Sequence, residues 1–321
     1  MTEERRYLIT GGAGFIGSHL VEHLLHSGAP VTVVDNFSTG RRDNLEAAVR
    51  DAGGKASNLK VVEGDIRDAD LIKGVMKEGI THVLHQAALP SVQRSVEDPE
   101  SSHAVNATAT LALLEQARRC GVRRFVYAAS SSAYGDTPTL PKLEAMTTMP
   151  LSPYAASKLA GEHYCRIYHQ LFGLETVALR YFNIFGPRQD PASDYAAVVP
   201  KFVQSALAGK APRIFGDGNQ SRDFTYIDNA VDANLKACDA PMRAVGKVYN
   251  VACGASATLL DLIRLLESIL GRSITPVHEA PRAGDVKHSL ASIDEARQGL
   301  GYEPRIDLEE GMRRTVAWFG T

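Results

Sequence analysis

The chain has 321 residues, more than one ordinary hydrophobic core supports, so two units or one large α/β domain with an added lobe is expected. Its 44% hydrophobic and 22% charged residues describe a soluble globular protein, and a net charge of −2 with both signs interspersed argues against a nucleic-acid face or a membrane-surface patch. The cysteines (Cys120, Cys165, Cys238, Cys253) lie far apart without a CxxC, no apolar run reaches the ~18 residues of a membrane span, and the N-terminus enters a strand without a signal peptide, so a reduced, cytoplasmic protein without a metal site is expected.

Short β-rich runs at Tyr7–Thr10, Val31–Val34, Leu59–Val62, His82–His85, Phe125–Ala129 and Thr176–Leu179 alternate with helical patterns near 15–27, 69–78, 102–119 and 154–172. That alternation predicts βαβ units and a doubly wound parallel sheet. After residue 180 the rhythm breaks at Pro187, Pro191, Pro200, Pro212 and the GDGNQ stretch, which predicts a smaller, loop-rich lobe. One late helix is signalled there, with Thr258 and Asp261 at its start, Leu259, Leu262, Ile263, Leu266 and Ile269 along one side, and Gly271 at its end.

Between the first strand and the first helix, YLITGGAGFIGSHL carries Gly11, Gly12, Gly14 and Gly17. Gly12, Gly14 and Gly17 satisfy GxGxxG, and Gly11, Gly14 and Gly17 satisfy the wider GxxGxxG. Such a turn lets a pyrophosphate approach the backbone at a helix N-terminus, where amide donors and the helix dipole favour an anion. Asp35 ends the second strand, where a carboxylate can bind the adenosine ribose hydroxyls and repel a 2′-phosphate. NAD is therefore expected over NADP, although Arg41 and Arg42 stand close by. Asp65 follows the third strand and can reach the adenine or cap a helix. His19, His23 and His26 have metal-compatible spacing, but their helix should pack on the sheet, and no acidic or cysteine partner lies near in sequence.

Ser130 ends the fifth strand, at the carboxyl edge where α/β sheets bind ligands. In LSPYAASKL, Ser152 and Pro153 open a helix that places Tyr154 and Lys158 on one face. The lysine charge, the helix N-terminus and a bound nicotinamide would favour the phenolate of Tyr154, so its pKa is expected to fall, and Ser130 would share the substrate oxygen that Tyr154 deprotonates. Catalytic Ser130, Tyr154 and Lys158 follow from that placement.

These residues, with YAASSSAYGD, PLSPYAASKL, LRYFNIFGPRQDP, GDGNQSRDFTYID and RAGDVKHSLA, resemble the extended short-chain dehydrogenases/reductases and within them the nucleotide-sugar 4-epimerases. The resemblance spans nearly the whole chain and is strongest to the branch acting on UDP-N-acetylhexosamines. It implies a Rossmann NAD-binding domain over residues 1–180, with a strand and helix returning near 224–250, and a smaller C-terminal α/β lobe, 181–223 and 251–321, for the UDP-sugar. It also implies a 4-epimerase mechanism: Tyr154 takes the proton of the sugar 4-hydroxyl, hydride passes to tightly held NAD, the 4-keto sugar turns over, and the hydride returns to the opposite face. Gly11, Gly14, Phe15, Ile16, Gly17, Asp35, Asn36, Asp65, Ile66, Gln86, Ala87, Ala88, Asn106, Tyr154, Lys158 and Tyr181 would then hold NAD. Ser91, Ser130, Ser132, Asn183, Ala197, Val198, Phe215, Arg222, Arg282 and Ser289 would hold the UDP-sugar, the arginines suiting its diphosphate.

The family gates the sugar's 2-substituent at the position of Ser289, where a small side chain leaves room for an acetamido group. Ser91, Ser132, Asn183 and Ala197 also match the acetamido branch. Pro90 departs from its glycine, which opens the way to UDP-Glc/UDP-Gal as a second pair. UDP-GlcNAc 4-epimerase is thus the expected activity, with UDP-glucose 4-epimerase the alternative. A UDP-glucuronate 4-epimerase or decarboxylase would demand cationic contacts that the sequence does not place. A 4,6-dehydratase needs an acid and a base where this chain has Ser130–Ser131–Ser132. A non-catalytic NAD sensor would have no use for Tyr154, Lys158 and Ser130. Apolar residues on more than one face of the helices near 102–119 and 154–172 (Leu111, Leu113, Leu114, Ala117; Leu159, Ala160, Tyr164, Ile167) predict a homodimer.

Overall fold

A computed structural model describes residues 4–191, 197–281 and 287–320. In chain order, the first part consists of β1 (Tyr7–Thr10), α1 (Phe15–His26), β2 (Val31–Asp35), α2 (Arg42–Asp51), β3 (Leu59–Glu63), α3 (Ala69–Met76), β4 (His82–His85), α4 (Val92–Glu97), α5 (Pro99–His103), α6 (Ala109–Arg119), β5 (Arg124–Ser130), α7 (Pro153–Phe172) and β6 (Glu175–Tyr181). Then follow β7 (Ile184–Phe185), α8 (Val198–Leu207), β8 (Arg213–Phe215), β9 (Ser221–Arg222), β10 (Thr225–Tyr226), α9 (Ile227–Cys238), β11 (Lys247–Val251), β12 (Ala257–Thr258), α10 (Leu259–Leu270), β13 (Val277–Glu279), α11 (Asp294–Leu300) and α12 (Leu308–Phe319).

Seven strands form one parallel sheet in the order β11-β6-β5-β4-β1-β2-β3. Alternation along each strand splits the core into two layers. Ile9, Val33, Leu84 and Val126 face one cluster, and Leu8, Val34, Val83 and Phe125 face the other. Helices cover both faces, which makes this a Rossmann-like doubly wound α/β fold. The chain steps from β1 to β2 and β3, then returns to place β4 on the other side of β1. That reversal opens a crevice at the carboxyl ends of β1 and β4.

The helix expected from 102 begins at Pro99, behind an Asp98 cap, and contains a π-helical stretch at Ala104–Thr108 before α6. Asn106 is buried within that stretch. Ser152 caps α7, accepting from the Ala155 N–H at 3.1 Å, with Pro153 in its first turn. Thr258 and Asp261 form a reciprocal capping box on α10, which ends at Gly271.

The second half is less loop-rich than its prolines and glycines suggest. Five helices, α8 to α12, lie beyond residue 197, and α9 packs beside α1. Its sequence, IDNAVDANLKAC, hides its inward face because Asn229 and Asn234 are buried there. The Asn229 oxygen accepts from the N–H groups of Arg305 and Ile306 at 2.8 and 3.1 Å, and its nitrogen donates to the Ile306 carbonyl at 2.7 Å, tying α9 to the approach of α12. Among the described residues no helix is long and apolar enough to cross a membrane, and no group of three or more His, Cys, Asp or Glu side chains could hold a metal.

Candidate active site

A cavity of about 890 Å³ opens at the topological switch. Gly11, Gly14 and Gly17 line it and Gly12 does not, so the wider glycine motif is the one that faces the cavity. A Cβ on Gly12 would strike Val33 in the core at 2.6 Å. At Gly17 a Cβ would lie 2.1 Å from the Gly11 carbonyl oxygen, and Gly11 itself has φ +70° with Ala87 N 2.7 Å from its missing Cβ. No side chain caps α1, so the amides of its first turn at Phe15, Ile16 and Gly17 are left for a ligand in the cavity they line.

Asp35 is buried below this turn. Its oxygens accept from Ala13 N–H at 2.9 Å and Phe37 N–H at 2.8 Å, and burial still pushes its carboxyl pKa up. Each oxygen keeps a lone pair for a ribose hydroxyl. Arg42 is taken up by Glu63 and stacks 4.2 Å from the Phe37 ring, while Arg41 reaches toward Asp190 at 3.8 Å. Neither side chain is committed to a 2′-phosphate, in keeping with NAD. Asp65 is held by Arg67 through paired bonds of 2.9 and 2.8 Å and by Asn36 at 3.0 Å; Arg67 first of all pulls its carboxyl down to about 2. The capping role open to Asp65 falls to Asp68, which accepts from the Asp70 and Leu71 N–H groups.

Gln86, Ala87 and Ala88 follow β4 along the cavity wall, and Ile66 and Tyr181 line it too. The Asn234 amide donates to the Tyr181 hydroxyl at 2.7 Å, and the Gln86 amide donates to the Asn234 oxygen at 3.1 Å. Asn106 lies behind this wall, outside the cavity lining among the described residues. Its oxygen accepts from Leu89 N–H at 2.8 Å and its nitrogen donates to the Leu89 carbonyl and to Ser157 Oγ, both at 3.2 Å. It therefore braces the loop that carries Pro90, and the stiffness of an exposed proline adds little to a segment already held on both sides.

Ser130, Ser132, Tyr154 and Lys158 line the same cavity. The Ser130 and Ser132 hydroxyls are 2.8 Å apart, and Tyr154 N–H donates to Ser95 Oγ at 3.0 Å. Lys158 is only 3% exposed, its ammonium 4.6 Å from the centre of the Tyr127 ring. Burial pushes Lys158 down to about 7. The expected fall of the Tyr154 pKa is reversed in the chain by itself: its enclosed setting raises it, outweighing a hydrogen bond with Ser130 that pulls it down. The acidic side chains of the lining, among the described residues, are Asp35, Asp65 and Asp190; none comes from the Ser130–Tyr154 segments that an eliminating enzyme would furnish with an acid and a base.

Ser91, Asn183 and Ala197 also line the cavity. Ser91 caps α4 by accepting from Arg94 N–H at 3.0 Å, which leaves its hydroxyl proton to donate. Asn183 has φ +40° and donates to the Asp223 carbonyl at 2.9 Å. Val198, Phe215, Arg222 and Ser289 lie outside this lining, at the start of α8, on β8, on β9 and on the segment whose Ser289 N–H donates to the Ser221 carbonyl at 3.0 Å. Arg282 lies outside the described residues. The acid beside Arg222 has its own work: the Asp223 carboxylate is fully buried and accepts from the N–H groups of Cys253, Gly254 and Ala291.

Sequence reasoning passed over Arg94, Arg188, Gln189 and Asp190 of the lining and Asn234 behind it. The exposure of Arg94 and the distant partners of the others gave no local signal.

The family model described as NAD dependent epimerase/dehydratase matches residues 7–252. A UDP-glucose 4-epimerase of Mycolicibacterium smegmatis is 40% identical over 316 residues, 98% of each chain. The crystal structure of a UDP-glucose 4-epimerase with UDP-glucose from Thermotoga maritima shares 37% identity and superposes with a TM-score of 0.91 over 98% of each chain. A UDP-N-acetylglucosamine 4-epimerase from Methanobrevibacter ruminantium, in complex with UDP-N-acetylmuramic acid, shares 38% identity with a TM-score of 0.91 over 99% of each chain.

Proposed function

We propose, for a chain that belongs to the NAD dependent epimerase/dehydratase family and is an NAD-dependent UDP-sugar 4-epimerase, that UDP-GlcNAc and UDP-GalNAc are its preferred pair and UDP-Glc and UDP-Gal a second one. The observation that supports the preference is that Ala88, Ser91, Ser130, Ser131, Ser132 and Ala197, all small side chains, line the same cavity as Tyr154. An acetamido group set against these side chains would meet short ones.

In this reading the first-turn amides of α1 hold the cofactor pyrophosphate, Asp35 and Asn36 the adenosine ribose, and Asp65 and Ile66 the adenine. Gln86, Ala87, Ala88 and Tyr181 line the nicotinamide half, with Asn106 bracing that wall. Bound NAD supplies a hydride acceptor at the sugar's carbon 4 and gives the hydride back, so no net oxidation results. Tyr154 takes the 4-hydroxyl proton in the first half-reaction and returns it in the second. Lys158, protonated, favours the phenolate; its position near 7 lets it exchange that proton at neutral pH. Ser130 hydrogen-bonds the same oxygen, and its link to Ser132 fixes its direction. Arg222 and Arg282 bind the diphosphate, with Asn183 on the same sugar-nucleotide side; Ala197, Val198 and Phe215 contact the uridine or the sugar, and Ser91, Ser132 and Ser289 the sugar. Exposed Ile167, Leu171 and Phe172 on α7 support a second copy of the chain as partner.

One observation favours a second reading. Arg94 lines the cavity one residue before Ser95, the residue that accepts from Tyr154 N–H, so a cation stands at the sugar end and would suit a uronate carboxylate. Comparing kcat/KM of the NAD-loaded protein for UDP-GlcNAc, UDP-Glc and UDP-glucuronate decides. The acetamido reading predicts UDP-GlcNAc first; UDP-glucuronate ahead of both would replace it with the uronate reading.

A further inference from the structure

The segment Pro187–Asp190 crosses from β7 toward the C-terminal lobe, yet Arg188, Gln189 and Asp190 line the cavity together with Asn36, Gly40, Arg41 and Asn44. It thus lies over the adenosine half, away from the reacting end. Two helices of the dinucleotide domain hold it from outside. One guanidinium nitrogen of Arg188 donates to Glu22 of α1 and, at 2.9 Å, to Asp51 of α2. His19 of α1 meets the Pro187 carbonyl at 3.0 Å through Nε2. Burial pushes the His19 pKa down to about 4, so its ring is neutral at pH 7 and Nε2 carries the donated proton. From the cavity mouth, Arg41 faces Asp190 at 3.8 Å.

Holding the segment there is costly. Arg188 adopts φ +64°, which a side chain with a Cβ rarely takes. Its guanidinium is 4% exposed, and its second terminal nitrogen is buried with no hydrogen-bond partner among the described residues. The Gln189 side-chain oxygen is likewise buried with no hydrogen-bond partner among the described residues. Backbone strain and two orphaned polar atoms in adjacent residues mark a segment kept for what it does, as at ligand clamps.

We propose that Pro187–Asp190 is a strap that retains NAD, fastened by Arg188 to Glu22 and Asp51. A 4-epimerase regenerates its cofactor within each turnover, so NAD has no need to leave, whereas an enzyme with net redox turnover must exchange it. Closing the adenosine half with an ion-pair clamp serves the first case and would hinder the second. Arg188 is a positioning residue, acting through the strap and outside the chemistry. The inference rests on the NAD-binding part of the reading above and is independent of which sugar is used.

The test loads the full chain with NAD, passes it into NAD-free buffer, and follows bound NAD over time by assay of denatured extracts. Arg188→Met is expected to release NAD at least about tenfold faster than wild type, equivalent to about 1.4 kcal/mol. The rise in melting temperature on adding NAD should shrink in the variant, which a loss of fold stability alone would not produce. If Arg188→Met does not fold, the double variant Glu22→Gln/Asp51→Asn, altered on helix faces outside the cavity, decides in its place. Folded variants that retain NAD as wild type does overturn the strap. Because NAD is read directly, failure of the sugar assignment would leave this result standing.

Discussion

The helix that carries Tyr154 and Lys158 is pinned by a buried ion pair, and breaking it should cost more than a surface change. Glu162 lies two turns beyond Tyr154 on α7. Its carboxylate takes two bonds from Arg180 of β6, at 2.9 Å from Nε and 2.6 Å from Nη2, with the side chains 10% and 2% exposed. The same guanidinium stacks 4.5 Å from the ring of Tyr134, just beyond the Ser130–Ser132 turn. Arg180 therefore braces both halves of the reacting group. Removing one partner leaves a buried charge uncompensated, which typically costs about 3–5 kcal/mol, whereas replacing both with apolar groups of similar volume is often neutral. Glu162→Gln should accordingly lower stability by about 3 kcal/mol or more, roughly a 4–7 °C drop in Tm for a chain of this size. Glu162→Met/Arg180→Met should recover most of that loss. Urea unfolding gives the free energies, and kcat of the folded variants reports whether Tyr154 has shifted. A Glu162→Gln protein within about 1 kcal/mol of wild type, or a double variant less stable than either single one, would refute the reasoning.

Gly17→Ala would place a Cβ 2.1 Å from the Gly11 oxygen, and backbone meets backbone there; the protein should purify without NAD, and wild-type NAD content would contradict that. Ser289→Tyr should lower the kcat/KM ratio of UDP-GlcNAc to UDP-Glc by about tenfold or more, given about 1–3 kcal/mol for overpacking; an unchanged ratio would remove Ser289 from the gate. Burial raises Asp223 to about 6, above its unfolded value, so the folded state holds its proton more tightly. Its contribution is present at low pH and lost as pH rises from about 4 to about 6, by up to about 3 kcal/mol. Denaturation curves across that window should show the decline, and Asp223→Asn should abolish its slope.

What could be read from the sequence is what depends on near neighbours. The glycine turn, Asp35, Ser130 at a strand end and the Tyr154–Lys158 pair all follow from local spacing, as does the Thr258–Asp261 cap. What could not be read depends on partners far along the chain. The resemblance implies a helix in the region of α9, but its own residues read as polar because the groups that satisfy Asn229 and Asn234 come from residues 305–306, Tyr181 and Gln86. Glu162 looks like a surface residue until β6 brings Arg180 to it. The burial that raises the Tyr154 pKa in the chain by itself is not legible either: a charge at i+4 is visible in the sequence, but the depth of burial that opposes it is not. Arg188 pairs with residues from two separate helices, and nothing local announces its φ of +64°.

The central claim is that Tyr154 drives epimerisation of an acetamido UDP-sugar through hydride removal and return at carbon 4. Its most direct test is to incubate the protein with UDP-GlcNAc in D2O, with no added NAD, and to examine carbon 4 of the product. The account predicts UDP-GalNAc with the original hydrogen retained at carbon 4, and a Tyr154→Phe variant slower by about 10²- to 10⁴-fold. Deuterium at carbon 4, or wild-type turnover by Tyr154→Phe, would contradict it.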